Sequence, residues 1–140
     1  PESGNIVTED GEVLGKHNGL FNYTIGQRKG LGIAYKHPLY VIGFNGDRNE
    51  VIVGPNERLF TNRMICKFYN FLDDTIHKEL KAEGKIRYAA NPSPCIARIL
   101  DDDTMEVIFE EPQRAITPGQ SVTFYNGTQL LGGAVIDRVC

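Results

Sequence analysis

The stretch PCIARILDDDTMEVIFEE, Pro94 to Glu111, contains two short runs of alternating side chains separated by aspartates. In the second run Met105, Val107 and Phe109 fall on one face, because successive side chains of a strand point to opposite sides. Cys95 lies on the apolar face of the first run, so we expect its thiol to be buried. The DDDT segment between the runs is typical of a turn. The stretch therefore predicts a hairpin of two half-buried antiparallel strands.

Similar short strands recur at regular spacing from Asn62 to the end of the chain. We predict them at ICKFYNF, GKIRYAA, PCIARIL, MEVIFEE, SVTFY and QLLGGAVI. The turns between them include NPSP, TPGQ and NGT, and Asn126-Gly127 predicts a type I′ turn with two positive φ angles. Half a dozen antiparallel strands in so short a segment favour a small closed barrel, because closure removes exposed strand edges.

The amino-terminal part is smaller and richer in loops. LYVIGF (Leu39 to Phe44) and EVIVG (Glu50 to Gly54) are β-branched runs joined by NGDRN, which predicts a hairpin. We therefore expect an all-β, mainly antiparallel protein with a small β domain at 1–61 and a six-stranded barrel at 62–140. The only candidate helix is the short segment from Asp73 to Lys81.

The composition indicates a soluble globular protein. The 140 residues are 41% hydrophobic and 24% charged, with no apolar run of eighteen residues and no cationic start before an apolar core. Three widely spaced cysteines without a CxxC motif favour reduced thiols and a cytoplasmic location. Because Pro1 is not a natural start, we expect the sequence to be cut from a longer chain.

The charges are distributed unevenly along the chain, whose net charge is −3. Between Glu12 and Asp47 there are four lysines and arginines and no acidic residue, whereas between Arg98 and Arg114 there are six acidic residues and no base. Such a division attracts a polyanion to one region and repels it from another, which would orient a bound nucleic acid. The alternative is that both regions are ordinary solvated faces.

The acid-free region contains the glycine-rich stretch YTIGQRKGLGIAYK, Tyr23 to Lys36. It matches neither the GxxxxGK[ST] phosphate loop nor GxGxxG, and no helix pattern follows it, so a nucleotide site is not expected. We interpret it as a loop that presents Tyr23, Gln27, Arg28 and Lys29, and whose glycines allow close approach to a protein or nucleic-acid backbone. A glycine-rich surface turn with solvated cations is the alternative.

Two further stretches indicate RNA contact. Arg87-Tyr88 in GKIRYAA is a cation next to an aromatic ring, a pair that can contact phosphate and stack on a base. In TPGQ, Pro118 and Gly119 predict a type II turn, which leaves Gln120 at a strand start with an amide able to read a base edge or to cap a turn. The alternative for the first pair is Tyr88 in the core and Arg87 in solvent.

Residues with the spacing of a catalytic site are absent from the sequence. The histidines are isolated and the serines lie in no nucleophile elbow. The DDD run lacks the glycine and glutamate of a calcium loop. We therefore expect no active site, no metal and no cofactor within this chain.

Several motifs, read in order, carry a resemblance to a known family. They are GKHNGLFNYTIGQRKGLGI, LYVI, RY, EEPQRAITPGQSVTFYNG and LLGGAVI. In these motifs the chain resembles, over nearly its whole length, the C-terminal portion of the tRNA-specific 2-thiouridylases. That family converts the anticodon wobble uridine of certain tRNAs to 2-thiouridine.

The resemblance implies a central β domain followed by a barrel similar to the second domain of translation elongation factors. It implies three partners: tRNA, an N-terminal catalytic domain that uses ATP with Mg²⁺, and a sulfur-carrier protein. The family's catalytic cysteines belong to segments outside this chain. Arg87, Tyr88 and Gln120 match positions at which the family touches tRNA. The loop with Gln27, Arg28 and Lys29 would lie beside the tRNA or the catalytic domain.

Two functions therefore follow from the sequence. The favoured one is the tRNA-holding part of a tRNA 2-thiouridylase, whose chemistry takes place on another domain. The alternative is a protein-interaction module that docks a catalytic domain or a sulfur carrier and makes no contact with RNA.

Overall fold

The computed structural model describes residues 2–73, 78–86 and 91–140, and strands make up most of these ranges. The chain divides into two compact units, Pro1–Phe60 and Thr61–Cys140. None of the helical segments in the described ranges has the length and apolar character needed to cross a membrane. The prediction of an all-β fold is confirmed.

The first unit is a four-stranded sheet with the order β2-β1-β4-β3. Its strands are β1 (Gly4–Thr8), β2 (Val13–His17), β3 (Tyr40–Asn45) and β4 (Glu50–Gly54). Two short 3₁₀ helices, Leu20–Asn22 and Asn56–Leu59, flank the sheet. Strands β1 and β2 and strands β3 and β4 pair antiparallel, but β1 and β4 pair in parallel. The predicted β3–β4 hairpin is confirmed, whereas the parallel pair joins strands too distant in sequence for local patterns to reveal.

The core of this sheet is made of β-branched side chains. Ile6, Val41, Val51 and Val53 are fully buried. Val41 and Val51 lie between more exposed neighbours, and one face of the sheet packs against the long segment between β2 and β3. That segment carries the glycine-rich loop.

The second unit is a closed barrel with the strand order β10-β5-β8-β7-β6-β9. Its strands are β5 (Phe60–Phe71), β6 (Glu79–Ile86), β7 (Ser93–Ile99), β8 (Thr104–Arg114), β9 (Ser121–Asn126) and β10 (Gln129–Val139). Antiparallel pairings join β10 to β5 and β9, β6 to β7 and β9, and β7 to β8. The predicted six-stranded closed barrel is confirmed.

The interior of the barrel follows the alternation read from the sequence. Met105, Val107 and Phe109 are at most 1% exposed, and Cys95 is 2% exposed on the neighbouring strand. Gly84 of β6 lies over this layer, where a Cβ atom would come within 3.2 Å of the Phe109 ring. The buried thiol and the one-sided apolar face of β8 were both predicted correctly.

Two local predictions were wrong. The candidate helix does not form where the structure describes it, because Glu79–Lys81 belong to strand β6; 74–77 lie outside the described residues. Asn126 does not take a positive φ but pairs with Gln129, so Gly127 is the first central residue of the turn and alone has a positive φ, +62°. Glycine at that place is typical of a type II′ turn rather than type I′.

Candidate nucleic-acid interface

The glycine-rich loop is tied to the edge of the sheet by its own backbone. Gly26 N–H donates to the Val41 carbonyl (2.8 Å), and Val41 N–H donates to the Gln27 carbonyl (2.9 Å). The Gln27 side chain closes the turn, since its Oε1 accepts from Thr24 N–H (3.0 Å) and its Nε2 donates to the Lys29 carbonyl (2.9 Å). The structure thus places Gln27 inside the loop, where its amide shapes the turn that carries the neighbouring cations.

Beyond this turn the loop runs with alternating sides. Leu31 is buried and Ile33 and Tyr35 are half-buried against the core of the sheet, whereas the intervening Gly32 and Ala34 are exposed. Gly32 has a φ of +69°, which only glycine adopts without strain. The inward side chains therefore hold the loop in place while its outer side leaves the backbone open to a ligand.

The outer side of the loop carries positive charge. Arg28 and Lys29 are exposed, and neither side chain forms an ion pair or a hydrogen bond with the described residues. Lys36 is also exposed, and its Nζ lies 5.8 Å from the centre of the Tyr35 ring. An open concavity of about 800 Å³ is lined by Arg28 and by 30–39. A concave, cationic surface whose glycines leave the backbone accessible suits a phosphodiester backbone.

A buried histidine fixes the base of this loop. His17 is 3% exposed, its Nδ1 accepts from Gly19 N–H (3.0 Å), and its Nε2 lies 2.8 Å from the Asn49 carbonyl. Because Nδ1 accepts, the proton resides on Nε2, which donates to Asn49. The His17 ring also meets Tyr23 edge-on, with centroids 5.9 Å apart. His17 thus joins the start of the loop to the β3–β4 turn, and Tyr23, predicted to be presented outward, packs inward.

On the barrel, Gln120 follows the predicted turn. Gly119 has a φ of +91°, and Gln120 N–H donates to the Thr117 carbonyl (3.2 Å), as in a type II turn. Gly119 N–H and the Gln120 carbonyl both bond to the backbone of Ile136, at 2.8 Å each. The half-buried side-chain amide of Gln120 makes no hydrogen bond to the described residues. The backbone is therefore fixed while the amide stays available to a ligand.

The other predicted contact residues, Arg87 and Tyr88, lie outside the described residues. They follow directly on Ile86, which is buried and pairs with Val122 of β9. Their role stays a prediction.

The described residues contain no group with the features of a catalytic nucleophile or a metal site. Burial raises the pKa of the Cys66 and Cys95 thiols to about 12, so both are protonated and unreactive at neutral pH. Cys140 is exposed and has no disulfide partner. No cluster of histidine, cysteine, aspartate and glutamate in these ranges could hold a metal ion.

Sequence reasoning missed two features. Lys36 belongs with Arg28 at the concavity, and its place after an inward-facing Tyr35 was the signal. Glu106, on the outward face of β8, is only 5% exposed because Arg63 Nε (2.5 Å) and Arg98 (2.8 Å) cover its carboxylate. The hydrogen bond from Arg63 is the main cause that holds the pKa of Glu106 below its usual value.

Both units match known domain families. Residues 61–136 match the model described as the aminomethyltransferase beta-barrel domain, and residues 1–55 match the tRNA methyl transferase PRC-barrel domain. Among curated proteins, the chain is 46% identical over 138 residues to the tRNA-specific 2-thiouridylase MnmA of Clostridioides difficile. The chain belongs to the tRNA-specific 2-thiouridylase family.

Other 2-thiouridylases show the same degree of similarity. The chain is 47% identical over 136 residues to MnmA 1 of Clostridium botulinum strain Loch Maree and to MnmA of Geotalea uraniireducens. The alignment with the C. difficile protein covers 98% of this chain but only 38% of the relative. The corresponding shares are 96% and 38% for the C. botulinum protein, and 97% and 36% for the G. uraniireducens protein. The chain therefore spans less than two fifths of the length of these 2-thiouridylases.

Proposed function

We propose that this chain is the tRNA-holding part of a tRNA 2-thiouridylase and positions the anticodon wobble uridine for thiolation. ATP with Mg²⁺ and the catalytic cysteines belong to a separate catalytic domain, a sulfur-carrier protein supplies the sulfur, and the enzyme acts in the cytoplasm. The proposal rests on family membership together with one observation, the acid-free concave loop that carries Arg28, Lys29 and Lys36.

The chain's own residues favour holding RNA over performing the chemistry. Its buried thiols are protonated, and the glycine-rich loop leads into strand β3, so among the described residues no helix N-terminus follows it to bind a nucleotide phosphate. The exposed Arg28 and Lys29 side chains have no carboxylate partner among the described residues, so their positive charges are free to interact with phosphates. Gln120, with its unengaged amide, is placed to add a directional hydrogen bond to a base or ribose.

A salt titration tests the contribution of the loop. Fluorescence anisotropy with a tRNA bearing a wobble uridine compares the wild type with the double variant Arg28→Ala/Lys29→Ala. Each lost phosphate contact lowers the slope of log K against log salt by about 0.7–0.9, so we expect the slope to fall by about 1.4–1.8. The matched control is Arg48→Ala/Arg138→Ala, which removes the same charge from exposed positions outside the loop. Equal slopes in the two double variants would refute the role of the loop.

The barrel residues are tested by single substitutions. Gln120→Ala should weaken tRNA binding without changing the salt slope, because a neutral hydrogen bond releases no counterions. Gln129→Ala, at an exposed position in the β9–β10 hairpin, is the control. Arg87→Ala should lower the slope and Tyr88→Ala should weaken binding by about 1–3 kcal/mol if the ring stacks on a base. Binding unchanged in all three variants would remove the barrel from the interface.

A further inference from the structure

A strongly exposed aromatic side chain stands on the outer surface of the barrel. Phe68 of β5 is 69% exposed. It lies in a β-bulge, since Lys67 pairs with Val135 and Asn70 with Gly133, which leaves two residues of β5 opposite one residue of β10. Bulges of this kind redirect a side chain out of the regular alternation. The side chain that this bulge turns into solvent is a phenylalanine, an unusual choice for a solvated position.

The backbone holds Phe68 in this position against its own preference. Its φ is +54°, in the left-handed region that a bulky residue rarely adopts. The conformation is held by Phe68 N–H, which donates to the Asp103 carbonyl (3.1 Å), and by the Tyr69 hydroxyl, which donates to the Asp101 carbonyl (2.8 Å). These two bonds bring the β7–β8 turn against the bulge, so Phe68 and the aspartates of that turn form one surface.

The surroundings of Phe68 add further apolar area. Leu72, directly after the end of β5, is 68% exposed, while Tyr69 and Phe71 between it and Phe68 pack against the barrel core. Leu100, which opens the β7–β8 turn, is 47% exposed. Isolated exposed leucines are ordinary, but two large apolar side chains at one turn, with a third at the end of the same strand, are typical of an interaction site.

The charges around this surface are predominantly negative. Asp102 and Asp103 are exposed and their carboxylates have no partner among the described residues. The Asp101 carboxylate is engaged within the turn, where it accepts from the backbone N–H groups of Asp103 and Thr104. Lys67 is nearby, and its Nζ lies 5.3 Å from the centre of the Phe68 ring. This ammonium group forms a salt bridge with Asp137, whose Oδ1 is 3.3 Å away. The surface therefore repels RNA and attracts a basic ligand.

We propose that Phe68, Leu72, Leu100, Asp102 and Asp103, named here the Phe68 surface, dock a basic protein segment. The segment would place an apolar side chain against Phe68 and Leu72 and its lysine or arginine side chains beside the two free carboxylates. Apolar contact would supply most of the affinity, and charge complementarity would supply orientation and association rate. The inference is independent of the proposed tRNA contact, because RNA and this surface repel one another.

The test uses a synthetic basic peptide as the probe, with lysine and arginine flanking phenylalanine and leucine, titrated into the ¹⁵N-labelled 140-residue chain. We expect amide shifts confined to 67–72 and 100–104, and affinity that falls with salt. Phe68→Ser should lower the affinity about fivefold or more. Its matched control is Phe21→Ser, at a phenylalanine that is 75% exposed on the first unit. A peptide with glutamate in place of its basic residues should not bind.

The carboxylates are tested by a charge-matched pair of variants. Asp102→Asn/Asp103→Asn should weaken peptide binding and flatten its salt dependence, whereas Glu110→Gln/Glu111→Gln, the same charge change at exposed positions of β8, should not. Equal peptide affinity for Phe68→Ser and the wild type, shifts that map elsewhere, or tRNA-induced shifts at the Phe68 surface would each overturn the proposal. So would sedimentation showing that the Phe68 surface joins two copies of this chain.

Discussion

Raising the pH should destabilise the protein through two buried thiols in the barrel. Cys66 and Cys95 are 0% and 2% exposed, and burial raises their pKa from 9.0 to about 12. Well below pH 9 both thiols are protonated in the folded and the unfolded chain, so they contribute no pH dependence there. Between pH 9 and about 12 the unfolded chain ionises while the folded barrel keeps its thiols protonated, and the free energy of unfolding falls as the pH rises.

The size of the effect follows from linkage. At pH 10.5 the unfolded thiol is 1.5 units above its pKa of 9.0 and the folded thiol is still protonated, which costs about 2 kcal/mol per thiol at 1.36 kcal/mol per unit. The two thiols together would contribute up to about 4 kcal/mol, a large part of the stability of a small domain.

Urea denaturation at pH 8.0 and pH 10.5 measures this loss. The double variant Cys66→Ala/Cys95→Ala is less stable at both pH values because it leaves cavities, but it should lose far less stability between them. Cys140→Ala, which removes an exposed thiol, should keep the wild-type pH dependence. The reasoning is refuted if the alanine double variant and the wild type lose the same free energy over this interval.

Further substitutions test a close backbone approach in the first unit and an ion pair in the barrel. Gly4→Ala would place a Cβ atom 2.1 Å from the Asn49 carbonyl oxygen, so we expect a loss of about 1–3 kcal/mol in thermal denaturation, while Gly43→Ala, with no atom within 4 Å of its Cβ, should be tolerated. Glu106→Gln should cost no more than about 1 kcal/mol at pH 7, because it weakens the charged hydrogen bonds from Arg63 and Arg98, whose half-exposed guanidinium groups are screened by water. Since the folded pKa of Glu106 is lowered, this difference should exist above pH 4.5 and shrink as the pH falls through the folded value; a difference that persists in acid would contradict it.

The sequence predicted best what local periodicity controls. The apolar face of β8 and the buried Cys95 follow from strict alternation over a few residues, and the β3–β4 hairpin follows from its turn residues. The parallel pairing of β1 with β4 was not predictable in this way, because it joins segments far apart in sequence. The helix prediction was wrong for a related reason. Glu79–Lys81 have helical propensity, but their pairing with β7 in the closed barrel makes them part of a strand.

In the candidate site, too, local sequence patterns were informative and contacts that depend on the folded chain were not. Glycine density and the absence of acidic residues pointed to the loop around Arg28, and the TPGQ turn pointed to Gln120. The sequence could not show that the Gln27 amide is already hydrogen-bonded to the backbone of Thr24 and Lys29, because side-chain hydrogen bonds depend on the folded loop. Nor could it show that Phe68 lies at a bulge, since a bulge is a property of two paired strands and not of one.

Because side chains alternate between inward and outward positions in the glycine-rich loop, substitutions in this one segment have two different effects. Leu31, Ile33 and Tyr35 face the core, so changes there act on folding, whereas changes at Ala34 and Lys36 act on the exposed surface that we propose to contact tRNA. Substitutions at the outer positions should therefore alter the surface of the loop without disturbing the packing beneath it. For the experimenter, a cysteine at Ala34 offers an attachment point for a fluorophore that reports occupancy while the fold beneath it stays intact.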